Sequence, residues 1–187
     1  MDLMGLGCTN KTVSLIGLGR VGRYAVPVLK ALDMNVLYTK RHRLSPEDEQ
    51  ALGVEWVEKV DDLIARGDYV CMLANFEPAN LKMMGAREFA LMKPTAYFVN
   101  VGRGRLVDEP AMIEALQNGT IAGAGLDVFW YESPVVHDCF IPEELRKLDN
   151  VVLTPHNGGA TWDSRGRQTL AIANAIVDDI LASRNGG

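Results

Sequence analysis

What most constrains this chain is an alternation that runs nearly its whole length. Short apolar runs, often rich in β-branched residues, take turns with segments whose apolar residues recur at helical spacing. The strand-like runs are Thr12–Gly17, Asn35–Thr39, Val54–Val57, Asp68–Leu73, Thr95–Val101, Ile121–Val128 and Val151–Thr154. Between them lie helical patterns. Arg20–Ala31 places Val21, Ala25, Val28, Leu29 and Leu32 at helical intervals, with Pro27 as an internal blemish. Ser45-Pro46 is a helix start, an N-cap followed by proline at the first helical position. Val60–Ala65 is a short helix, and Pro78–Met92 is helical but broken at Gly85. Asp108–Gln117 closes at Asn118-Gly119, and Trp162–Ser183 carries Leu170, Ala173, Ile176, Val177, Ile180 and Leu181 on one face. The irregular stretch Trp130–Pro142 is the longest loop.

Strands alternating with helices mean βαβ units. Their crossovers are right-handed and put helices on both faces of a parallel sheet. The expected fold is therefore α/β: a doubly wound parallel sheet of Rossmann type, three-layer αβα, with seven strands. No Ser- or Gly-rich linker divides the interior, so residues 1–187 read as one dinucleotide-binding domain. A hydrophobic fraction of 48% excludes a disordered chain. No run approaches a membrane span, and Met1–Lys11 lacks the pattern of a secretory signal. Cys8, Cys71 and Cys139 have no paired spacing, so they read as reduced thiols of a cytoplasmic protein and not as a disulfide framework or metal site. The net charge of -5 disfavours nucleic acid and anionic membranes as partners.

Gly17-Leu18-Gly19-Arg20-Val21-Gly22 is G-x-G-x-x-G directly after a strand and at the opening of a helix, the context that gives this pattern meaning. Gly17 permits the tight turn, Gly19 lets backbone approach a pyrophosphate, and Gly22 allows close helix–strand packing. Arg20 and Val21 then stand at the helix N-terminus, whose free N–H groups suit phosphate. An NAD site usually has an acid about 20 residues further on, bonding the ribose 2′-OH. Here that position is Lys40, within the run Thr39-Lys40-Arg41-His42-Arg43, and no acid is present. A 2′-phosphate is held by Lys or Arg, so the run indicates a preference for NADP(H), with NAD(H) still possible. The alternative is a solvated basic loop.

Three more clusters follow strands in the second half. They are Asn100-Val101-Gly102-Arg103-Gly104, Gly125-Leu126-Asp127-Val128-Phe129 with Glu132 beyond it, and Pro155-His156-Asn157-Gly158-Gly159-Ala160-Thr161. Ligands of open α/β sheets bind beyond the carboxyl ends of strands, so an Arg, a Glu and a His could meet there. That set suits hydride chemistry on a 2-oxo acid. Arg offers a bidentate fork to carboxylate and carbonyl, and His exchanges the proton of the substrate oxygen. A carboxylate fixes the imidazole tautomer.

With GLGRVG, VNVGRGRLVDE, GAGLDVF and PHNGGAT in this order, the chain resembles the NAD(P)-binding domain of the D-isomer-specific 2-hydroxyacid dehydrogenases. Its VLYTKR segment is similar to that of the NADP-using glyoxylate/hydroxypyruvate reductases. The resemblance implies that Arg103 binds substrate, Glu132 is the carboxylate partner and His156 is the acid/base. It places Asp127 near the nicotinamide carboxamide. It also implies cofactor contacts from Leu73, Ala74, Val101, Gly102, Arg103, His156 and Gly158, and a homodimer formed around Pro78–Met92 and Asp108–Gln117. No metal is implied. Two departures stand out: Glu132-Ser133-Pro134 where the family has E-P, and Leu73-Ala74-Asn75-Phe76-Glu77-Pro78 in place of an LPLTP-like stretch. The family's second, substrate-gripping domain has no counterpart here, so the expectation is a chain that binds cofactor with little or no turnover. A nucleotide-sensing module that dimerises on NAD(P)H, as in the corepressors called C-terminal binding proteins, is the alternative, and a purely structural dimerisation fragment is a further one.

Overall fold

The structure is a computed structural model that describes residues 7–133 and 138–185; the side chains of residues 133, 138, 139 and 181–185 are outside that description. Two compact units divide at residue 154: one up to Thr154 and one from Pro155.

The first unit is a seven-stranded, all-parallel sheet. Its strands are β1 (Thr12–Ile16), β2 (Asn35–Thr39), β3 (Val54–Trp56), β4 (Tyr69–Met72), β5 (Tyr97–Asn100), β6 (Gly123–Leu126) and β9 (Val151–Leu153). They lie in the order β3-β2-β1-β4-β5-β6-β9. The order reverses between β1 and β4, and their carboxyl ends diverge there into two loops that leave a crevice. Register is tight at that point: Ile16 faces both Thr39 of β2 and Met72 of β4. The strands are apolar on both faces because helices cover both. α1 (Arg20–Ala31) and α2 (Pro46–Leu52) pack over Leu15, Val36 and Tyr38. α3 (Val60–Arg66), α4 (Ala86–Leu91) and α5 (Glu109–Gln117) pack over Val70, Met72 and Phe98. The short α6 (Glu143–Arg146) adds Leu145 to the second cluster.

The cap signals act as the sequence implies. The Ser45 hydroxyl accepts the Asp48 N–H at 3.1 Å, with Pro46 opening α2. α4 starts at Gly85, and α5 ends at Asn118 before Gly119 in a left-handed conformation. In the helical pattern over Pro78–Met92, the first part is a single 3-10 turn, Pro78–Asn80.

Two features differ from the expectation. The stretch expected to be a loop contains two short antiparallel strands, β7 (Tyr131–Ser133) and β8 (Asp138–Phe140), in register Glu132 with Cys139. Alternation is too short over three residues to be read from sequence. Pro134 and His137 lie outside the described residues. The second difference is the rotation of α1. It buries Gly22 and Val26, while Val21, Val28 and Leu32 are exposed. The fingerprint decides this: a glycine at position 22 lets the helix press its N-terminal turn against the sheet, and Val26 follows one turn later.

The second unit consists of a turn around His156–Thr161 and the long helix α7 (Trp162–Asn185). The Thr161 hydroxyl accepts the Ser164 N–H at 3.2 Å and starts the helix.

Candidate cofactor and substrate site

The crevice at the switch point is a cavity of about 780 Å³. One wall is the glycine turn after β1. Gly17 has φ +97°, and a Cβ there would sit 2.8 Å from the backbone nitrogen of Ala74. Only glycine fits that conformation and that approach. Gly19 is different: nothing lies within 4 Å of where its Cβ would be, so space is left in front of the turn. Gly19 caps α1 without any side-chain bond, and the first turn of α1 has no acid, so its N–H groups and positive dipole end remain available. A Cβ on Gly22 would meet the Leu18 side chain at 2.8 Å. These are the properties a dinucleotide pyrophosphate needs: a fixed turn, an open front and a helix N-terminus.

The second wall is the end of β2. The Gly17 N–H donates to the Thr39 carbonyl at 2.9 Å, which ties the glycine turn to the basic run. Thr39 is buried, with its hydroxyl 3.5 Å from the Glu58 carbonyl. Lys40 lines the cavity and makes no hydrogen bond or ion pair among the described residues. Arg41 pairs with Glu77 at 2.6 Å. Arg43 is committed elsewhere, donating twice to Glu49 at 2.8 Å, and the Tyr38 hydroxyl donates to the same carboxylate at 2.5 Å. The Arg43 and Tyr38 hydrogen bonds hold Glu49 down at about 2, while burial, reinforced by Glu49, pushes Tyr38 up to about 12. The cleft therefore brings together Gly17, Gly19, Arg20, Val21, Gly22, Thr39, Lys40, Arg41, Leu73 and Ala74, all expected from sequence.

A second cavity of about 740 Å³ adjoins the same edge, and Asn75 lines both. It brings Arg103 and Glu132 together with Phe76, Phe129, Trp130 and Phe140. Arg103 is exposed, and its guanidinium donates to the Gly102 carbonyl at 2.6 Å. The Glu132 carboxylate accepts the Phe129 N–H at 2.6 Å, a charge-assisted bond that fixes its position. The floor is rigid. A Cβ on Gly104 would collide with the Phe129 carbonyl, so only glycine allows the two loops to meet. Burial pushes the Glu109 carboxyl up, opposed by a hydrogen bond from the Trp130 backbone.

Asn100 opens one of the clusters read from sequence but was given no role there, yet it organises the Arg103 loop. It is 1% exposed; its side-chain oxygen accepts the Gly102 N–H at 3.1 Å, and its amide donates to the Arg103 carbonyl at 3.2 Å. A polar residue at the end of a buried strand is the signal that could have found it. Gly102 presses against the segment after β4, where its Cβ would lie 2.9 Å from the Ala74 carbonyl. Val101 donates its N–H to Met72 at 3.3 Å. Asp127 lies at the same sheet edge, accepting the Thr154 hydroxyl at 2.6 Å. Val101, Gly102 and Asp127 are at the strand ends but line neither cavity. His156 and Gly158 belong to the second unit, where His156 is exposed and has φ 50°.

Residues 1–158 match the family described as D-isomer specific 2-hydroxyacid dehydrogenase, NAD binding domain. The chain belongs to this family. It is 38% identical over 183 residues to the glyoxylate reductase of Thermococcus onnurineus, covering 98% of this chain and 51% of that protein. Among solved structures it resembles the NADPH-dependent glyoxylate/hydroxypyruvate reductase of Sinorhizobium meliloti in complex with NADP and malonate. The identity is 35% and the TM-score 0.74, over 83% of this chain and 46% of that one. It also resembles the D-lactate dehydrogenase with NAD+ of Lactobacillus jensenii, at 31% identity and TM-score 0.79, over 93% of this chain and 56% of that one. The chain thus spans about half the length of the proteins it matches. The family comprises oxidoreductases acting on the CH–OH group of 2-hydroxy acids, and solved relatives include structures with either nicotinamide cofactor. No helix among the described residues is long and apolar enough to cross a membrane.

Proposed function

We propose that this chain is the cofactor-binding domain of an NADP(H)-dependent 2-hydroxyacid dehydrogenase that reduces a small 2-oxo acid such as glyoxylate or hydroxypyruvate. It would carry the catalytic side chains of that enzyme. The observation that carries this reading is the cleft wall at the end of β2, where Lys40 and Arg41 occupy the place of the ribose-binding acid. Gly17, Gly19, Gly22 and the α1 N-terminus hold the pyrophosphate, Lys40 and Arg41 hold the 2′-phosphate, Leu73 and Ala74 border the rest of the cofactor, and Val101 and Asp127 are assigned to it by the family resemblance. When bound, the nicotinamide supplies or accepts the hydride.

The remaining roles belong to the side chains of this chain. Arg103 binds the substrate carboxylate and polarises the carbonyl through its planar fork. His156 gives a proton to the substrate oxygen in reduction and takes it back in oxidation. Glu132, by the family resemblance, is the carboxylate assigned to fix the tautomer that makes this possible. The Arg103 cavity is open to water, whereas hydride transfer is favoured by water exclusion and closure. The chain by itself is therefore expected to bind cofactor with slow or no turnover. A homodimer and a cytoplasmic setting belong to the same proposal, by the family resemblance; light scattering at twice the 20.5 kDa chain mass would support the dimer.

Replacing Lys40 with Asp tests the reading. Fluorescence titration should show NADPH binding weakened about tenfold or more, since one charge-assisted bond is lost and a repulsion gained. NADH binding should hold or improve. An unchanged NADPH affinity would refute the assignment.

A further inference from the structure

Three cations follow β2, and the structure leaves them in three different states. Lys40 is unengaged among the described residues, Arg43 is closed off by Glu49 on its own side of the fold, and Arg41 is held by Glu77. Glu77 lies 36 positions further along the chain, on the segment that follows β4. The Arg41–Glu77 pair therefore links the end of β2 to the segment after β4, and both residues line the cofactor cleft. We infer that Glu77 is a cofactor-discriminating latch: its carboxylate holds Arg41 across the adenosine end of the cleft, and a ligand 2′-phosphate must displace it to take that cation. The inference rests on the assignment of this cleft to NADP(H).

Glu77 is held on a fixed base. Its backbone N–H donates to the Asn80 side chain at 2.8 Å, the Asn80 amide donates to the Asn75 carbonyl at 2.8 Å, and the Asn80 N–H returns to the Glu77 carbonyl at 3.0 Å. Pro78 opens the single helical turn between them. The pair itself is solvated, with side-chain exposures of 69% and 49%. Exposed pairs of this kind hold weakly, so a phosphate dianion can open it and take the guanidinium in stronger, charge-assisted bonds. A ligand lacking the 2′-phosphate offers Arg41 nothing in exchange, and the latch stays closed. The carboxylate thus weakens binding of the phosphorylated cofactor selectively. This acid was not visible as a discriminator in the sequence, because it is supplied from the segment after β4 and not from the end of β2.

The test compares wild-type chain with Glu77→Gln, an exposed change that leaves the fold intact. The ligands are adenosine 2′,5′-bisphosphate and adenosine 5′-monophosphate, which probe only this end of the cleft, measured by calorimetry. The latch predicts that the variant binds the bisphosphate about 2–5-fold more tightly, a range set by weak exposed ion pairs, and that the gain shrinks as salt rises. The monophosphate should change by less than about twofold. No change in either ligand, or an equal gain in both, overturns the latch while the cofactor assignment stands. A wild-type chain that binds the monophosphate as tightly as the bisphosphate overturns the assignment and the latch with it.

Discussion

The three glycines of the fingerprint should respond differently to alanine, and the structure says by how much. Gly17→Ala combines two penalties. Its φ of +97° is a conformation that costs an L-residue about 1–3 kcal/mol. Its new Cβ would lie 2.8 Å and 2.9 Å from the Ala74 nitrogen and Cα, backbone atoms that no rotamer change can move. Overpacking of that kind costs about 1–3 kcal/mol. The sum, roughly 2–6 kcal/mol, is a large part of a typical stability of about 5–15 kcal/mol. At roughly 2–4 °C per kcal/mol for a chain of this size, the melting temperature should fall by about 4–24 °C. Gly22→Ala meets only the end of the flexible Leu18 side chain and should cost about 1 kcal/mol. Gly19→Ala meets nothing and has an ordinary φ of -95°, so the fold should be untouched. Its methyl group occupies the space in front of the turn, and cofactor affinity should drop about tenfold or more, equivalent to ~1.4 kcal/mol. Thermal melts and NADPH titrations of the three variants separate these effects. A Gly17→Ala protein melting within 2 °C of wild type (about 0.5–1 kcal/mol), or a Gly19→Ala protein with full affinity, would refute the reasoning.

Other outcomes follow from the same geometry. Asn100→Ala strands the Gly102 N–H and removes one of two hydrogen bonds to the Arg103 carbonyl, which keeps the Leu106 N–H, so denaturant unfolding should show a loss of about 1–3 kcal/mol. Acid should weaken the fold in a defined window. Glu49 has a folded-state value depressed from 4.5 to about 2, so its contribution is present above pH ~4.5 and is lost as pH falls towards 2. Tyr38 has the opposite sign: raised from 10.0 to about 12, it contributes below pH 10 and loses that contribution as pH rises towards 12. Glu49→Gln should flatten the acid limb of a stability–pH curve, and an unchanged acid limb would count against the Arg43–Glu49–Tyr38 cluster.

The sheet was legible because parallel strands buried on both faces leave nearly continuous apolar runs, and the capped helices between them leave Ser45-Pro46 and Asn118-Gly119 as markers. The cofactor cleft was legible for a related reason. Its function depends on backbone, and backbone needs are written as glycines. Side chains that act through distant partners were harder to see. Asn100 supports Arg103 from inside a strand, and Glu77 reaches Arg41 across 36 positions, so neither has a local pattern. The exposed row Val21, Val28 and Leu32 shows the same limit, since apolar spacing does not fix which way a helix turns when a glycine controls its approach. The antiparallel pair β7 and β8 escaped because three residues are too few to show alternation. His156 sits in the second compact unit, so its role rests on its place in the PHNGG motif and on family membership.

The central claim is that the crevice between the glycine turn and Lys40–Arg41 takes a 2′-phosphorylated dinucleotide. Calorimetric titration of the chain with NADPH and with NADH, at one ionic strength, tests it most directly. The account predicts NADPH binding at least about tenfold tighter, the value of one charge-assisted bond. Equal affinity, or tighter binding of NADH, would contradict it.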